Sequence, residues 1–247
     1  MKKKTIIIAE AGVNHDGNFD KAIKLVDAAK FAGANIIKFQ TFKTENLAIK
    51  NIKKPEYIKK NIDLKKNTQF EILKKLELSN SNLKKIINYC KKIKIEFMSS
   101  PFDLESVKLL HKFGIKRFKI PSGEINNIPY LEEIGKLNKE IIISTGMSDL
   151  LEIKRALNIL IKFGTKKSKI TVLHCTTDYP TRFKDVNLNA MNEIKRKLSV
   201  NVGYSDHTID ITVPIAAVTL GALVIEKHIT LNNNSKGPDH KASLNKY

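Results

Sequence analysis

The sequence predicts a (β/α)8 barrel. Eight short, isoleucine-rich apolar segments alternate with about seven amphipathic ones along 247 residues. Most of the amphipathic segments stop at a glycine, as helices do when the chain must turn left-handed: Gly33, Gly114, Gly164 and Gly221. The apolar segments run, at their C-terminal ends, into hydroxyl, amide or ionisable residues, and that end of a barrel strand is where (β/α)8 enzymes carry their chemistry. A doubly wound sheet is the rival arrangement. Its first loop should hold a glycine-rich dinucleotide fingerprint, and AEAGVNHDG is not one.

In chain order, residues 4–9 read as the first strand and 18–32 as an amphipathic helix, with Phe19, Ile23 and Val26 at helical spacing. Strand two is expected at 35–39. A polar excursion rich in Lys and Asn follows from 41 to 79, and then a helix at 83–90. Strands at 93–98, 116–120, 140–144 and 169–174 alternate with helices at 104–112, 128–137 and 149–163. A helix at 186–197, a strand at 199–203, a helix at 209–220 and a strand at 222–226 complete the series. The strands are apolar without alternation, as expected when both faces are covered. The whole chain, 1–247, is expected to form one barrel domain that stops short of its eighth helix.

Apolar types make up 42% of the chain, enough for a sizeable core. Two cysteines, Cys90 and Cys175, give no disulfide framework. No apolar run approaches the ~18 residues of a membrane span, and MKKK leads straight into a strand, so the expected compartment is the cytoplasm, with no membrane partner. The formal charge is +19, from 44 Lys plus Arg against 25 Asp plus Glu. These lysines are spread along the chain in pairs such as Lys84-Lys85 and do not form a basic tail with interleaved aromatics. No nucleic-acid partner is expected, and the charge suits a small anionic substrate.

The strand ends supply the candidate chemistry: Glu10; Lys38 and Gln40; Ser99 and Ser100; Lys119 and Ser122; Ser144, Thr145 and Gly146; His174, Thr176, Thr177, Asp178 and Tyr179; Ser205, Asp206 and His207; Glu226 and His228. His207 and His228 leave neighbouring strands at similar depth. They read either as a pair holding Mn, Zn, Fe or Co or as wall residues. Glu10, Glu226 and Asp239 could add a ligand, orient one, or accept a sugar hydroxyl. Lys38 and Lys119 sit in apolar strands, where a lysine needs an ion pair, a snorkelling stem or an anionic ligand. Backbone and hydroxyl donors of Ser122-Gly123 and Ser144-Thr145-Gly146 could join them around a phosphate or carboxylate. A strand lysine also raises a Schiff-base aldolase.

The ordered motifs AEAGVNHDG, GANIIKFQTFK, the EY…KKN segment near Tyr57, EFMSSPFD, KIPSGE, STGMSD, LHCTTDYPT, GYSDHT, GALVIEKHIT and GPDHKAS resemble the sialic acid synthase family, which includes N-acetylneuraminate synthase and the legionaminic and pseudaminic acid synthases. The resemblance covers essentially the whole chain. It implies a (β/α)8 barrel that condenses phosphoenolpyruvate with an N-acetylated mannosamine-type aldose. The products are a nine-carbon 2-keto sugar acid and phosphate, and the phosphate leaves by C–O cleavage. It implies a divalent metal, Mn foremost, with Mg or Co as alternatives, on His207 and His228. It implies a phosphoenolpyruvate set of Lys38, Lys119, Ser122, Ser144 and Ser205, with Ser100 where the family often has Thr. Glu10, Gln40, Tyr179, Glu226 and Asp239 match residues around the metal and the acceptor sugar. Thr177 stands where some members place a phosphate-touching Asn. Lys38, Lys119, Glu10 and Glu226 are the catalytic candidates, with either carboxylate as proton acceptor.

Family members continue beyond GPDHKAS with an eighth helix and an antifreeze-like domain that covers the partner's site in a homodimer. This sequence ends at Tyr247, so a companion chain supplying that domain is a further expectation, as is an exposed apolar surface over strands one and eight. Two other readings stand beside the synthase. One is a degenerate or split barrel that binds ligand or partner without turnover, and the other is the Schiff-base aldolase.

Overall fold

The computed structural model describes residues 4–50 and 68–245. The motif near Tyr57 lies outside them. Eight parallel strands close into a barrel in chain order. They are β1 (Ile6–Gly12), β2 (Ile36–Thr41), β3 (Glu96–Pro101), β4 (Arg117–Ile120), β5 (Glu140–Ser144), β6 (Ile170–Cys175), β7 (Asn201–Asp206) and β8 (Val224–His228). Most extend further toward their polar ends than the sequence suggested. Ile93 ends a helix, and the left-handed Lys94 after it delays β3. Ser199, left-handed as well, caps a helix and delays β7. The amide of Ala222 still bonds to Ala217, so β8 starts later.

The helices are α1 (Phe19–Phe31), α2 (Thr44–Leu47), α3 (Gln69–Leu76), α4 (Asn80–Ile93), α5 (Leu104–Lys112), α6 (Ile128–Lys136), α7 (Leu150–Lys162), α8 (Asn189–Leu198) and α9 (Thr212–Thr219). α7 shows the local logic. Asp149 and Glu152 form a reciprocal capping box, and Ile153, Ala156, Leu157 and Leu160 turn one face inward. The excursion expected at 41–79 contains α2 and α3, which the sequence reading passed over. α3 starts with its own capping box, Thr68 and Glu71. The helices expected at 186–197 and 209–220 begin later. A 3-10 turn at Phe183–Asp185 precedes α8, and Ile209 and Ile211 stay in an exposed turn before α9.

Alternation along each strand divides the core. Outward residues such as Phe39, Phe118, Ile143, Val172 and Ile225 pack with the helices. Inward residues Ile8, Ile36, Met98, Ile142, Leu173 and Val224 form a separate apolar floor inside the barrel. At β7 the floor position is Gly203, where an added Cβ would lie 2.3 Å from the carbonyl oxygen of Val224 and 2.7 Å from Leu173. The backbones close there, and only glycine fits.

Among the described residues no α-helix follows β8, only a 3-10 turn at His240–Ala242. Residues 229–245 instead fold back over the top of β8 and β1. Ile229 pairs with Leu244, and the Asn14 amide donates to the Ile229 carbonyl and the Ser243 hydroxyl, both at 2.9 Å. Near that side, outward-pointing Ile7 is 39% exposed, and Ile215 on α9 is 59% exposed. No helix among the described residues is long and apolar enough to cross a membrane.

Candidate active site

One strand repeat above the apolar floor, the inward positions change character. Ile8 is succeeded by Glu10, Ile36 by Lys38, Met98 by Ser100, Ile142 by Ser144, Gly203 by Ser205, and Val224 by Glu226 and then His228. Lys119 fills the same level from β4. The residues that the family resemblance singled out all line one cavity of about 370 Å³ at the C-terminal mouth of the barrel: Glu10, Lys38, Gln40, Ser100, Lys119, Ser122, Ser144, Thr177, Tyr179, Ser205, His207, Glu226, His228 and Asp239.

Its floor is a four-member charge cluster. Lys38 Nζ lies 3.0 Å from Glu10 Oε2 and 3.2 Å from Glu226 Oε1, and Lys119 Nζ lies 2.7 Å from Glu226 Oε1. Ser205 donates to the same Glu226 oxygen at 3.1 Å, and Lys38 donates to Ser100 Oγ at 3.3 Å. Each of the four charged side chains is at most 4% exposed. Burial pushes the Glu10 carboxyl up to about 8, against the pull of Lys38 and with the repulsion of Glu226. Burial opposes ionisation of Glu226 too, but Lys119 and Lys38 overcome it and hold that carboxyl well below the usual range. Burial lowers Lys119; Lys38 is desolvated as well, but Glu10 and Glu226 raise it. Near neutral pH Glu10 is thus biased toward its neutral form and Glu226 is held as the carboxylate beside the two lysines, a cluster short of negative charge in a dry site. Ser144 Oγ and Glu226 Oε2 have no hydrogen-bond partner among the described residues. Buried groups left open in this way suit a ligand.

The two histidines meet beside this cluster, with ring centroids 5.6 Å apart. The Tyr179 ring lies 4.0 Å from His207 and edge-on to His228 at 5.8 Å. His207 Nδ1 donates to the Thr176 carbonyl at 2.6 Å, which leaves its Nε2 lone pair available. Burial lowers His207 to about 4. Burial, then His207 and Lys38, push His228 well below its ordinary value, so both rings are neutral at pH 7. His228 Nδ1 lacks a hydrogen bond among the described residues and stands 3.8 Å from Asp239 Oδ2. Two neutral imidazoles, one with an orphaned nitrogen, fit a divalent ion. No group of three or more His, Cys, Asp or Glu is arranged for one among the described residues, so water or substrate would fill the other positions.

Not every polar strand end enters the cavity, because neighbours along a strand point oppositely. Ser99 donates to the Phe39 carbonyl, and Thr145 to that of Leu173. His174 bonds to the Val186 carbonyl, and Thr176 uses only its carbonyl on the site. Asp206 takes up Lys227 and Thr208 outside the barrel, a clamp that holds the His207 loop against the strand carrying His228. Ser122 is partly committed: its hydroxyl accepts from the Gly146 amide at 2.9 Å. The loop residues Asn14, His15 and Asp16 stay outside the cavity, and Asn14 is spent on Ile229 and Ser243. His15 Nδ1 accepts from Gly17, and Asp16 pairs with Lys21.

Three participants escaped the sequence reading. Gly12 is left-handed, and a Cβ there would lie 3.2 Å from Asp239, 3.3 Å from Glu10 and 3.5 Å from Gln40, so these three side-chain ends converge on it. Cys175 is an inward strand residue that lines the cavity, which period two would have indicated. α3 lines the mouth with Ile72, Leu73 and Leu76; Thr68 and Glu71 ahead of an apolar run were its sequence signal.

Comparison with known proteins agrees with this geometry. The NeuB family description matches residues 25–247. The N,N'-diacetyllegionaminic acid synthase of Campylobacter jejuni is 54% identical over 242 residues, which are 98% of this chain and 72% of that protein. The N-acetylneuraminate-9-phosphate synthase of Mus musculus is 36% identical over 244 residues, 98% of this chain and 67% of that protein. The crystal structure of N-acetylneuraminic acid synthetase from Leptospira borgpetersenii, in complex with citrate, matches 98% of this chain and 79% of that one with a TM-score of 0.85 and 32% identity. The chain belongs to the NeuB family.

Proposed function

We propose that this chain is the barrel of a sialic-acid-type synthase. It condenses phosphoenolpyruvate with an N-acetylated mannosamine-type aldose to a nine-carbon 2-keto sugar acid and phosphate. The observation that carries the reading is the polar layer itself: two buried lysines share the Glu226 carboxylate, hydroxyls surround them, and two neutral imidazoles stand alongside. A divalent metal on His207 and His228, with Mn foremost, would supply Lewis-acid polarisation of the sugar aldehyde.

The chain's own groups account for the rest. Lys38 and Lys119, with Ser100, Ser144 and Ser205, offer fixed donors to the carboxylate and phosphate of phosphoenolpyruvate. Once the anion engages the ammoniums, Glu226 loses its strongest partners and its proton affinity rises. That suits it to take a proton from the water that adds at C2 of phosphoenolpyruvate. Glu10, with its carboxyl pushed up to about 8, holds a proton at neutral pH and can give it to the oxygen of the aldehyde as C3 attacks. Loss of phosphate through its C–O bond completes the exchange. Gln40 and Asp239, converging over Gly12, are placed for sugar hydroxyls.

The Schiff-base alternative needs a neutral Lys119. In this structure that amine is engaged instead, donating to Glu226 at 2.7 Å. Incubation of the protein with phosphoenolpyruvate, Mn and either N-acetylmannosamine or its 2,4-diacetamido-6-deoxy analogue should release phosphate. No release with either sugar from folded, metal-loaded protein would overturn turnover by this chain and leave a ligand-binding barrel.

A further inference from the structure

The ladder between β7 and β8 pairs Tyr204 with Ile225, Ser205 with Glu226 and Asp206 with Lys227, and ends there. His207 is the next residue, one position past the end of β7. Its counterpart His228 still belongs to β8 and pairs with Glu10 of β1. The sheet therefore fixes one imidazole and not the other. On the β6 side His207 is tied by its carbonyl, which accepts from the Thr181 amide at 2.8 Å, and by Nδ1, which donates to the Thr176 carbonyl at 2.6 Å. Toward β8 it is held from outside the barrel. Asp206 and Lys227 point away from the cavity, between the inward pairs Ser205–Glu226 and His207–His228. Lys227 Nζ donates to two oxygens, one on each side of His207 in the chain: the Asp206 carboxylate and the Thr208 carbonyl. The same carboxylate accepts from the Thr208 amide at 3.1 Å and the Thr208 hydroxyl at 2.9 Å. Asp206 and Thr208 are fully buried, and Lys227 is 8% exposed.

We propose that the buried Asp206–Lys227 pair is a positioning device for a divalent ion: from behind the barrel wall it sets the separation of His207 and His228, so that both imidazoles address one ion. The inference rests on the reading above in which these two histidines hold the metal. Each member of the pair precedes one of the histidines in the chain, and the two members face each other across the strands. A slip of the loop against β8 would therefore carry one ring away from the other, and the pair opposes that slip. Two protein ligands leave no redundancy, and a site of this kind tolerates a displacement of only about 0.5 Å. Stability alone does not call for the arrangement. Apolar side chains of similar volume could fill the same place, and a buried ion pair seldom adds net stability over such a replacement. What the ion pair supplies is direction. One donor bound to an oxygen on either side of His207 allows a single register of the loop, whereas apolar contact would allow several.

The test is titration of Mn alone into the full, metal-stripped chain, read by the electron paramagnetic resonance of the unbound ion, with urea unfolding measured alongside. Asp206→Asn and Lys227→Met each leave one buried partner alone and should lose stability as well as affinity. The double variant, Asp206→Asn with Lys227→Met, leaves no unpaired charge and carries the decision. Its urea midpoint should recover toward wild type while its Mn affinity stays about tenfold lower. Thr208→Val removes only the hydroxyl that braces the carboxylate; it should keep the fold and lose about threefold in Mn affinity. Ile142→Ala, destabilised in the apolar floor, should bind Mn as wild type does. Wild-type Mn affinity in both the double variant and Thr208→Val, or a loss in Ile142→Ala as large as in the double variant, would make the pair a merely structural one and overturn the assignment while leaving the metal reading in place. Mn binding as tight as wild type after replacement of both His207 and His228 by alanine would overturn the metal reading, and the assignment with it.

Discussion

The apolar floor and the polar layer occupy the same barrel, one strand repeat apart, and are equally dry. Ile8, Ile36, Met98, Ile142, Leu173 and Val224 are at most 3% exposed; Glu10, Lys38, Ser100, Lys119, Ser144, Ser205 and Glu226 are at most 4% exposed. Burial therefore does not tell a structural layer from a functional one. Satisfaction does. The floor has no polar atom to satisfy and gains from every contact. The layer above it buries charges that recover their desolvation cost only through one another, and it leaves Ser144 Oγ and Glu226 Oε2 open. A chain selected for stability alone would repeat the floor upward; this one gives up stability where a ligand can repay it.

Breaking each layer should have a different signature. The largest effect is expected from Glu226→Ala. It deprives Lys119 of its partner and Lys38 of one of two, leaving buried charge poorly compensated. Urea unfolding should show a loss of about 3–5 kcal/mol. A change under 1 kcal/mol would mean that water already solvates the cluster.

Ile142→Ala in the floor should cost about 2–5 kcal/mol of stability and leave a cavity. Its phosphoenolpyruvate affinity should stay within about twofold of wild type, because no floor atom reaches the ligand. Calorimetry showing a joint loss of stability and affinity would erase the distinction between the layers.

A pH comparison separates the cluster from an ordinary ion pair at the rim. Burial opposes ionisation of Glu77, but Lys43 and Thr44 stabilise the anion and hold its carboxyl at about 2, below its ordinary 4.5. A depressed carboxylate contributes stability above its unfolded value, and the contribution disappears as pH falls through the folded one. Discounted for solvent screening at the rim, the difference amounts to about 1 kcal/mol, present above roughly pH 4.5 and lost toward pH 2. Stability curves of wild type and Glu77→Gln should therefore diverge at neutral pH and converge toward about pH 2. Parallel curves would show that Glu77 is not the group responsible.

The smallest expected effect is also the most selective. Lys38→Met and Lys119→Met should each weaken phosphoenolpyruvate binding by about 1–3 kcal/mol while the barrel stays folded, since methionine fills the stem's volume and removes the charge. Wild-type affinity in both variants would place the anion elsewhere.

Much of this molecule could be read from local pattern. Isoleucine-rich segments, glycine stops and helix caps act within a few residues, so the eight strands, the helices between them, their order and the polar strand ends were visible in the sequence. Boundaries shifted by two or three residues where a left-handed cap, as at Lys94 and Ser199, overrode the apolar pattern. Barrel closure decided the rest. Whether Ser100 or Ser99, Ser205 or Asp206, faces the interior follows from a register that each strand shares with its neighbours. The proximity of Glu10, Lys38, Lys119 and Glu226 arises only when β1 pairs with both β2 and β8. Asp239 reaches Gly12 because Asn14 ties the β1 loop to Ile229 and Ser243, more than two hundred residues away. α3 becomes a cavity wall through Glu77 and Thr44. Secondary structure follows from hydrogen bonds and sterics between near neighbours, which a sequence displays directly, whereas a binding site is made of side chains that meet only after the chain has closed on itself.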